Sequence, residues 1–333
     1  MKLKLKHITV INSLAFYSFA LAIYWDMWKH GTYGVDENFF SLQHNLAYAS
    51  LLLIFLLSAY GWLIYKEKKL FQLALFMLLT PVSGLFDLTW HWFFGIETTE
   101  KIWIIWSPPH ILITLLIITG VIIQLQIINK ILRRNHRQVI APVCWAVLLV
   151  AFKFLLWPLD PFGPWHVLGF WGAGFFVFVL VIILLTAKDW FKTLFPSIRV
   201  VAFYIVVTVI EFTNLILVPS AQAHGHERTD TISETVTVSV THNNPPAFLT
   251  VYSLLLVALT IDLSKRLPSI LRGGIAGLLY SCLLYGFASN YFNEAFLYST
   301  ESAIVAIISG VAGGLMGGLI FPLIAKKIHL RGD

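Results

Sequence analysis

The stretch "WDMWKHGTYGVDENFFSLQHNLAY", residues 25 to 48, sets Asp26 and His30 four residues apart and places His44 at the start of a long apolar run. The same order returns in "FDLTWHWFFGIETTEKIWIIWSPPHILITLLI", from residue 86, with Asp87, His91 and His110. Asp26 maps onto Asp87 and His30 onto His91, each 61 residues later, and both copies read D-x3-H-x3-G-[VI]-[DE]. His44 maps onto His110 at 66 residues, because the second connection is five residues longer. Residues i and i+4 lie on one helical face with Cβ atoms about 5–6 Å apart, so each Asp and His can converge on one point.

One carboxylate and two imidazoles per copy suit a transition metal and leave coordination positions for water, dioxygen or substrate. Cu or Fe is the favoured ion, and Zn fits the same donors. Two copies allow two mononuclear sites or one dinuclear site. His44 and His110 at helix N-termini feel the positive dipole end, which favours the neutral imidazole that a metal requires.

Each residue also has a plainer reading. Asp26 with His30 can form a hydrogen-bonded pair at a helix end. Gly34 and Gly95 permit a turn with positive φ. Asp36 and Glu97 can cap backbone N–H groups or orient a ligand histidine. "SPPH" is ordinary helix-start chemistry that leaves only His110 unexplained.

Further candidates carry weaker patterns. Asp160 and His166 flank the Pro-rich "LLWPLDPFGPWHVLGFW", a degenerate third copy, and His224, His226 and Glu227 cluster in "HGHE". "AQA" before His224 resembles a cleavage site, and cutting the Ala223–His224 bond would expose a chelating amino-terminal histidine. Glu211 and Asn214, with Asn290 and Glu294, suit either a polar cavity below the outer face or interhelical hydrogen bonds. Cys144 and Cys282 fall in apolar runs and are packing residues, with no disulfide framework available.

The elements that position these groups are membrane helices. The chain of 333 residues is 58% hydrophobic and 12% charged, with a mean hydropathy of +0.79, against roughly 25% charged in soluble domains. Ten runs near the 20-residue length of a span cover 8–25, 44–65, 70–91, 109–129, 139–157, 166–187, 199–218, 247–263, 273–289 and 302–325. The expected fold is therefore all-α: a single polytopic bundle of about ten transmembrane helices arranged as repeated hairpins. The metal-motif hairpins are 8–65 and 70–129, a third is 139–187, and C-terminal helices fill 247–325. The loop 219–246 holds "TVTVSV", which alternates like a strand.

Of the 23 Lys and Arg, 19 fall at one set of helix ends, whereas 13 of the 17 acids and 8 of the 11 His fall at the other end or within the spans. By the positive-inside rule both termini are cytoplasmic and the Asp–His motifs face outward, in the plasma (inner) membrane. The net charge of +6 thus reflects topology, and a nucleic-acid partner is excluded. Trp residues at span ends, such as Trp25, Trp28, Trp103 and Trp106, fit an interfacial belt.

The D-x3-H…H arrangement resembles the metal-binding motif of the C subunit of particulate methane and ammonia monooxygenases. That resemblance covers roughly 20 residues per copy, on Asp26, His30 and His44 and on Asp87, His91 and His110. It implies membrane-bound copper and oxidation of a small apolar or neutral substrate. The paired signature is also similar to bacterial polytopic membrane proteins of uncharacterised activity. The expected function is a membrane metal-dependent oxidoreductase or monooxygenase acting on an apolar substrate, with other membrane subunits or an electron donor as partners. The alternatives are a copper or transition-metal binding or acquisition protein, and a structural metal-containing subunit of a membrane complex.

Overall fold

The computed structural model describes residues 3–33, 41–95, 107–156, 172–191, 195–217, 247–286 and 300–329. Among them run ten α-helices: α1 (Leu5–Tyr33), α2 (Leu42–Tyr65), α3 (Lys68–Phe94), α4 (Pro108–Ile131), α5 (Arg134–Leu156), α6 (Ala173–Trp190), α7 (Pro196–Leu217), α8 (Ala247–Leu263), α9 (Ser269–Ser281) and α10 (Thr300–His329). A π-helical turn, Cys282–Gly286, continues α9. Seven helices, α1 to α6 and α10, are long and apolar enough to cross a membrane, and α7 to α9 contribute shorter apolar stretches among the described residues. In lipid the backbone must satisfy its own polar groups, and helices do so within one segment. The chain is accordingly a membrane protein, all-helical among the described residues. The expected strand at "TVTVSV" lies outside the described residues.

Short connections make neighbours antiparallel and gather the basic helix ends. Lys66 closes α2 in the left-handed conformation at φ 54°, its N–H bonded to the Trp62 carbonyl, and α3 begins two residues later. At this end Lys130 Nζ meets Glu67 Oε2 at 2.6 Å, and the Tyr65 hydroxyl donates to the Leu3 carbonyl at 2.7 Å. Asp262, only 2% exposed, caps α7 from the end of α8: its carboxylate accepts from Ser197 N at 3.1 Å and Ile198 N at 3.2 Å. A carboxylate at a helix N-terminus satisfies orphan donors and meets the positive end of the dipole. Lys188 answers it by donating to the Ile261 carbonyl of α8.

α1 packs against α2, α4, α5 and α7, and α6 against α5, α7, α8, α9 and α10. Within the first group, a buried polar network runs through the apolar packing. Gln124 Nε2 donates to the Thr9 carbonyl at 2.7 Å and to Ser13 Oγ at 2.8 Å, while Asn12 Nδ2 donates to Ser58 Oγ at 3.0 Å. Such bonds tie helices together where hydrophobic force is absent. In the second group, glycines let backbones touch. A Cβ on Gly273 would land on the Gly314 carbonyl oxygen and the reverse also holds, so α9 and α10 approach as closely as glycine permits.

The α2–α3 hairpin is peripheral. Only 33% of the α2 span and 39% of the α3 span is buried, against 61% for α4 and α5. Leu52, Leu56, Leu78, Leu85 and Trp92 are exposed there, as expected of a face that meets lipid. This hairpin carries His44 at its start and Asp87 and His91 at its end.

Candidate metal centre

Asp87 and His91 occupy successive turns near the C-terminus of α3, and His110 is the third residue of α4. Antiparallel packing of α3 on α4 brings them together. Nε2 of His91 lies 3.4 Å and Nε2 of His110 3.3 Å from the same oxygen, Oδ2 of Asp87. The three ligating atoms lie within 4.8 Å of one another. Ligands about 2.1 Å from a tetrahedral ion stand about 3.4 Å apart, so the two Asp–His separations match two edges of such a shell, and the two imidazole nitrogens lie within 4.8 Å of each other. Asp87 Oδ1 is buried without a hydrogen-bond partner among the described residues.

The backbone sets the tautomer of His91. Gly95 ends α3 at φ 86° and ψ 175°, its N–H bonded to the His91 carbonyl at 2.8 Å. Its own carbonyl oxygen then lies 3.1 Å from His91 Nδ1. A carbonyl only accepts, so Nδ1 carries the proton and a neutral ring has a bare Nε2. In the neutral ring that lone pair faces the Asp87 carboxylate, and in the imidazolium an N–H does. Two acceptors at this distance repel unless a proton or a metal cation stands between them.

His110 is held by the helix start. Ser107 caps α4 by accepting from His110 N at 3.5 Å, and its hydroxyl also lies 3.0 Å from His110 Nδ1. The neighbouring imidazoles meet edge to face, with centroids 5.7 Å apart and planes at 65°. The donors are mostly shielded without being sealed, their side chains 13% to 22% exposed.

The first copy repeats part of this arrangement. His44 Nε2 lies 3.1 Å from Asp26 Oδ1, the counterpart of the His110–Asp87 contact. His30 sits one turn after Asp26 on α1, and its side chain is outside what the structure describes. Ser41 caps α2 and accepts from His44 N at 3.5 Å. The duplicated unit therefore includes S-x-x-H at both helix starts, Ser41 with His44 and Ser107 with His110. Comparing only the ionisable residues overlooks this match, although both serines keep the same 66-residue offset as the histidines.

Asp36, Glu97, Asp160, His166, His224, His226, Glu227, Asn290 and Glu294 lie outside the described residues, as does Gly34. Glu211 and Asn214 sit on α7, with their side chains likewise outside. Cys144 and Cys282 are free thiols.

Two polar features escape motif reading. Lys153, a lone base inside "VAFKFLL", places its ammonium 5.6 Å from the Tyr24 ring centre, and the Tyr24 hydroxyl lies 3.2 Å from that of Tyr204. Its isolation in an apolar run is the signal that could have found it. Tyr48 stacks on His44, with centroids 6.2 Å apart and planes 26° from parallel. No pattern in the first copy alone marks it.

Comparison with protein-family models, with curated proteins and with solved structures gives no match to this chain.

Proposed function

We propose that this chain is an integral membrane metalloprotein with a transition-metal centre held by Asp87, His91 and His110, and that the centre serves oxidoreductase chemistry on an apolar substrate. Cu and Fe are the favoured ions, with Zn compatible with the same donors. The bound metal would activate dioxygen or polarise a bound group. The observation that carries the reading is the His91 ring. Nδ1 lies 3.1 Å from the Gly95 carbonyl oxygen, which can only accept, and Nε2 lies 3.4 Å from a carboxylate oxygen. Metal-ligating histidines characteristically donate their second nitrogen to a carbonyl or carboxylate in this way.

Three further points support it. The donors come from two helices, which leaves one side of the cluster for an exogenous ligand. Exposed apolar side chains on α3, Trp92 and Phe93 among them, suit a substrate that arrives through lipid. The basic residues gather at the opposite helix ends, which agrees with a centre on the extracytoplasmic side of the plasma membrane and cytoplasmic termini.

The test is elemental analysis and EPR on protein purified anaerobically from membranes. Stoichiometric Cu or Fe is expected in the wild type, with loss in Asp87→Asn, His91→Ala and His110→Ala. If the wild type is metal-free and binds none of these ions when they are supplied, a proton holds His91 against Asp87 and the proposal fails. Metal that binds without any turnover of dioxygen or apolar substrates would retain the centre and reject the oxidative role.

A further inference from the structure

Four turns deeper than Asp26, His44 and His110, the same helices carry a second polar cluster that the centre does not use. Asn12 precedes Asp26 by 14 residues on α1, and Ser58 follows His44 on α2 and Gln124 follows His110 on α4 by 14 as well. At 1.5 Å per residue that is about 21 Å of helix toward the basic ends. Ser58 and Gln124 also keep the 66-residue offset of the two histidines, so each copy places a polar side chain at this depth. α1 packs against both α2 and α4.

Thr9, Asn12, Ser13, Ser58 and Gln124 are each 0% exposed. Gln124 Nε2 donates to the Thr9 carbonyl at 2.7 Å and to Ser13 Oγ at 2.8 Å. A backbone carbonyl only accepts, so the Gln124 amide has one orientation and its Oε1 is turned away. Asn12 Nδ2 donates to Ser58 Oγ at 3.0 Å. The Thr9 and Ser13 hydroxyls are already used, donating to the Leu5 and Thr9 carbonyls at 3.0 and 2.9 Å. Two side-chain oxygens are left over: Asn12 Oδ1 and Gln124 Oε1 are buried with no hydrogen-bond partner among the described residues. Both are acceptors. A water would meet them with its protons but bring lone pairs of its own to a place whose donors are engaged. A cation brings none.

We propose that Asn12 Oδ1 and Gln124 Oε1, with the hydroxyl oxygens of Ser58 and Ser13 beside them, form a binding site for a dehydrated monovalent cation, Na+. Neutral oxygens suit a hard cation and offer nothing to a soft one. The cluster contains no carboxylate to balance a second charge, and an uncompensated charge in an apolar interior is costly, which excludes a divalent ion. Carbonyl dipoles replace the hydration shell of a monovalent ion at membrane depth. The site stands apart from the transition-metal reading, since none of these residues is a ligand of that centre.

Equilibrium binding of radiolabelled Na+ to the full-length protein in lipid nanodiscs, with choline as the replacing cation, tests this. The wild type should bind Na+ saturably, and Asn12→Leu and Gln124→Leu should each weaken binding by about 10-fold or more. Ser50→Ala removes another buried hydroxyl of α2, one that donates to the Leu46 carbonyl at 2.8 Å. It should leave the affinity within about 2-fold. Asn12→Asp keeps the oxygen and adds a charge, so at alkaline pH it should bind Na+ about 10-fold tighter. That variant decides the matter where a leucine variant does not fold, and unchanged affinity in it would count against the site. Absence of saturable Na+ binding in the wild type, or equal affinity in every form, would overturn the proposal. Either result leaves the Asp87 centre untouched.

Discussion

In the second copy, each term of D-x3-H-x3-G has a separate task. Asp87 supplies the shared oxygen, His91 a nitrogen that faces it, and Gly95 the carbonyl that orients the ring. The four-residue spacing puts Asp87 and His91 on one helical face, and the non-helical Gly95 that closes α3 brings its carbonyl to the His91 ring. Gly95→Ala should loosen the His91 ring, because φ of 86° strains any residue with a Cβ. Metal affinity is then expected to fall about 10–100-fold, the usual cost of losing an orienting partner, without loss of a ligand. Ser107→Ala should act similarly through His110 and also cost about 1 kcal/mol as a lost helix cap. Isothermal titration with Cu or Co and thermal denaturation would separate the two effects. Ser41→Ala should lower stability comparably while leaving the affinity of the Asp87 set unchanged. That Asp87, His91 and His110 form a group was an expectation from spacing and duplication, and the structure brings the three together. Ser107 was legible only as an ordinary helix cap within "SPPH" and Ser41 was not singled out, and only the distance to His110 Nδ1 gives Ser107 a second role.

At the scale of elements, two contrasting devices hold the helices. Gly273 and Gly314 permit backbone contact between α9 and α10, and a larger residue has to push the helices apart. Gly273→Leu should cost about 1–3 kcal/mol by overpacking and lower the melting temperature of detergent-solubilised protein. Gln124→Leu should be milder, about 1 kcal/mol, because interhelical hydrogen bonds in membranes are individually modest. Neither change should alter metal binding at Asp87. A loss of metal in Gln124→Leu would show that the network positions the centre. The helices themselves were readable from apolar runs of spanning length, and α1 extends to Tyr33, which keeps Asp26 and His30 on a helix as the i, i+4 reading requires. Their partners were not readable. Every face of such helices is apolar, so periodicity does not say which side meets lipid and which meets α6 or α10.

At the scale of the whole molecule, both Asp–His sets lie at the end of the bundle opposite the Glu67–Lys130 pair and the Asp262 cap of α7. If the positive-inside reading holds, a cysteine at Leu42 labels with an impermeant maleimide from outside intact cells, in a background with Cys144 and Cys282 replaced by alanine. A cysteine at Lys68 should label only after permeabilisation. The reverse pattern would place the centre on the cytoplasmic side. By itself the sequence determined the class of protein, the helical runs, the segregation of basic residues from acids and histidines, and the duplicated Asp–His motif. These are properties of composition and of spacing within one helix, where local geometry follows from 3.6 residues per turn. Only the tertiary structure decided that His110 and His91 share one oxygen of Asp87 and that His44 reaches Asp26. Those contacts join residues on different helices, and which helices meet depends on side-chain packing across interfaces that an apolar pattern leaves unspecified.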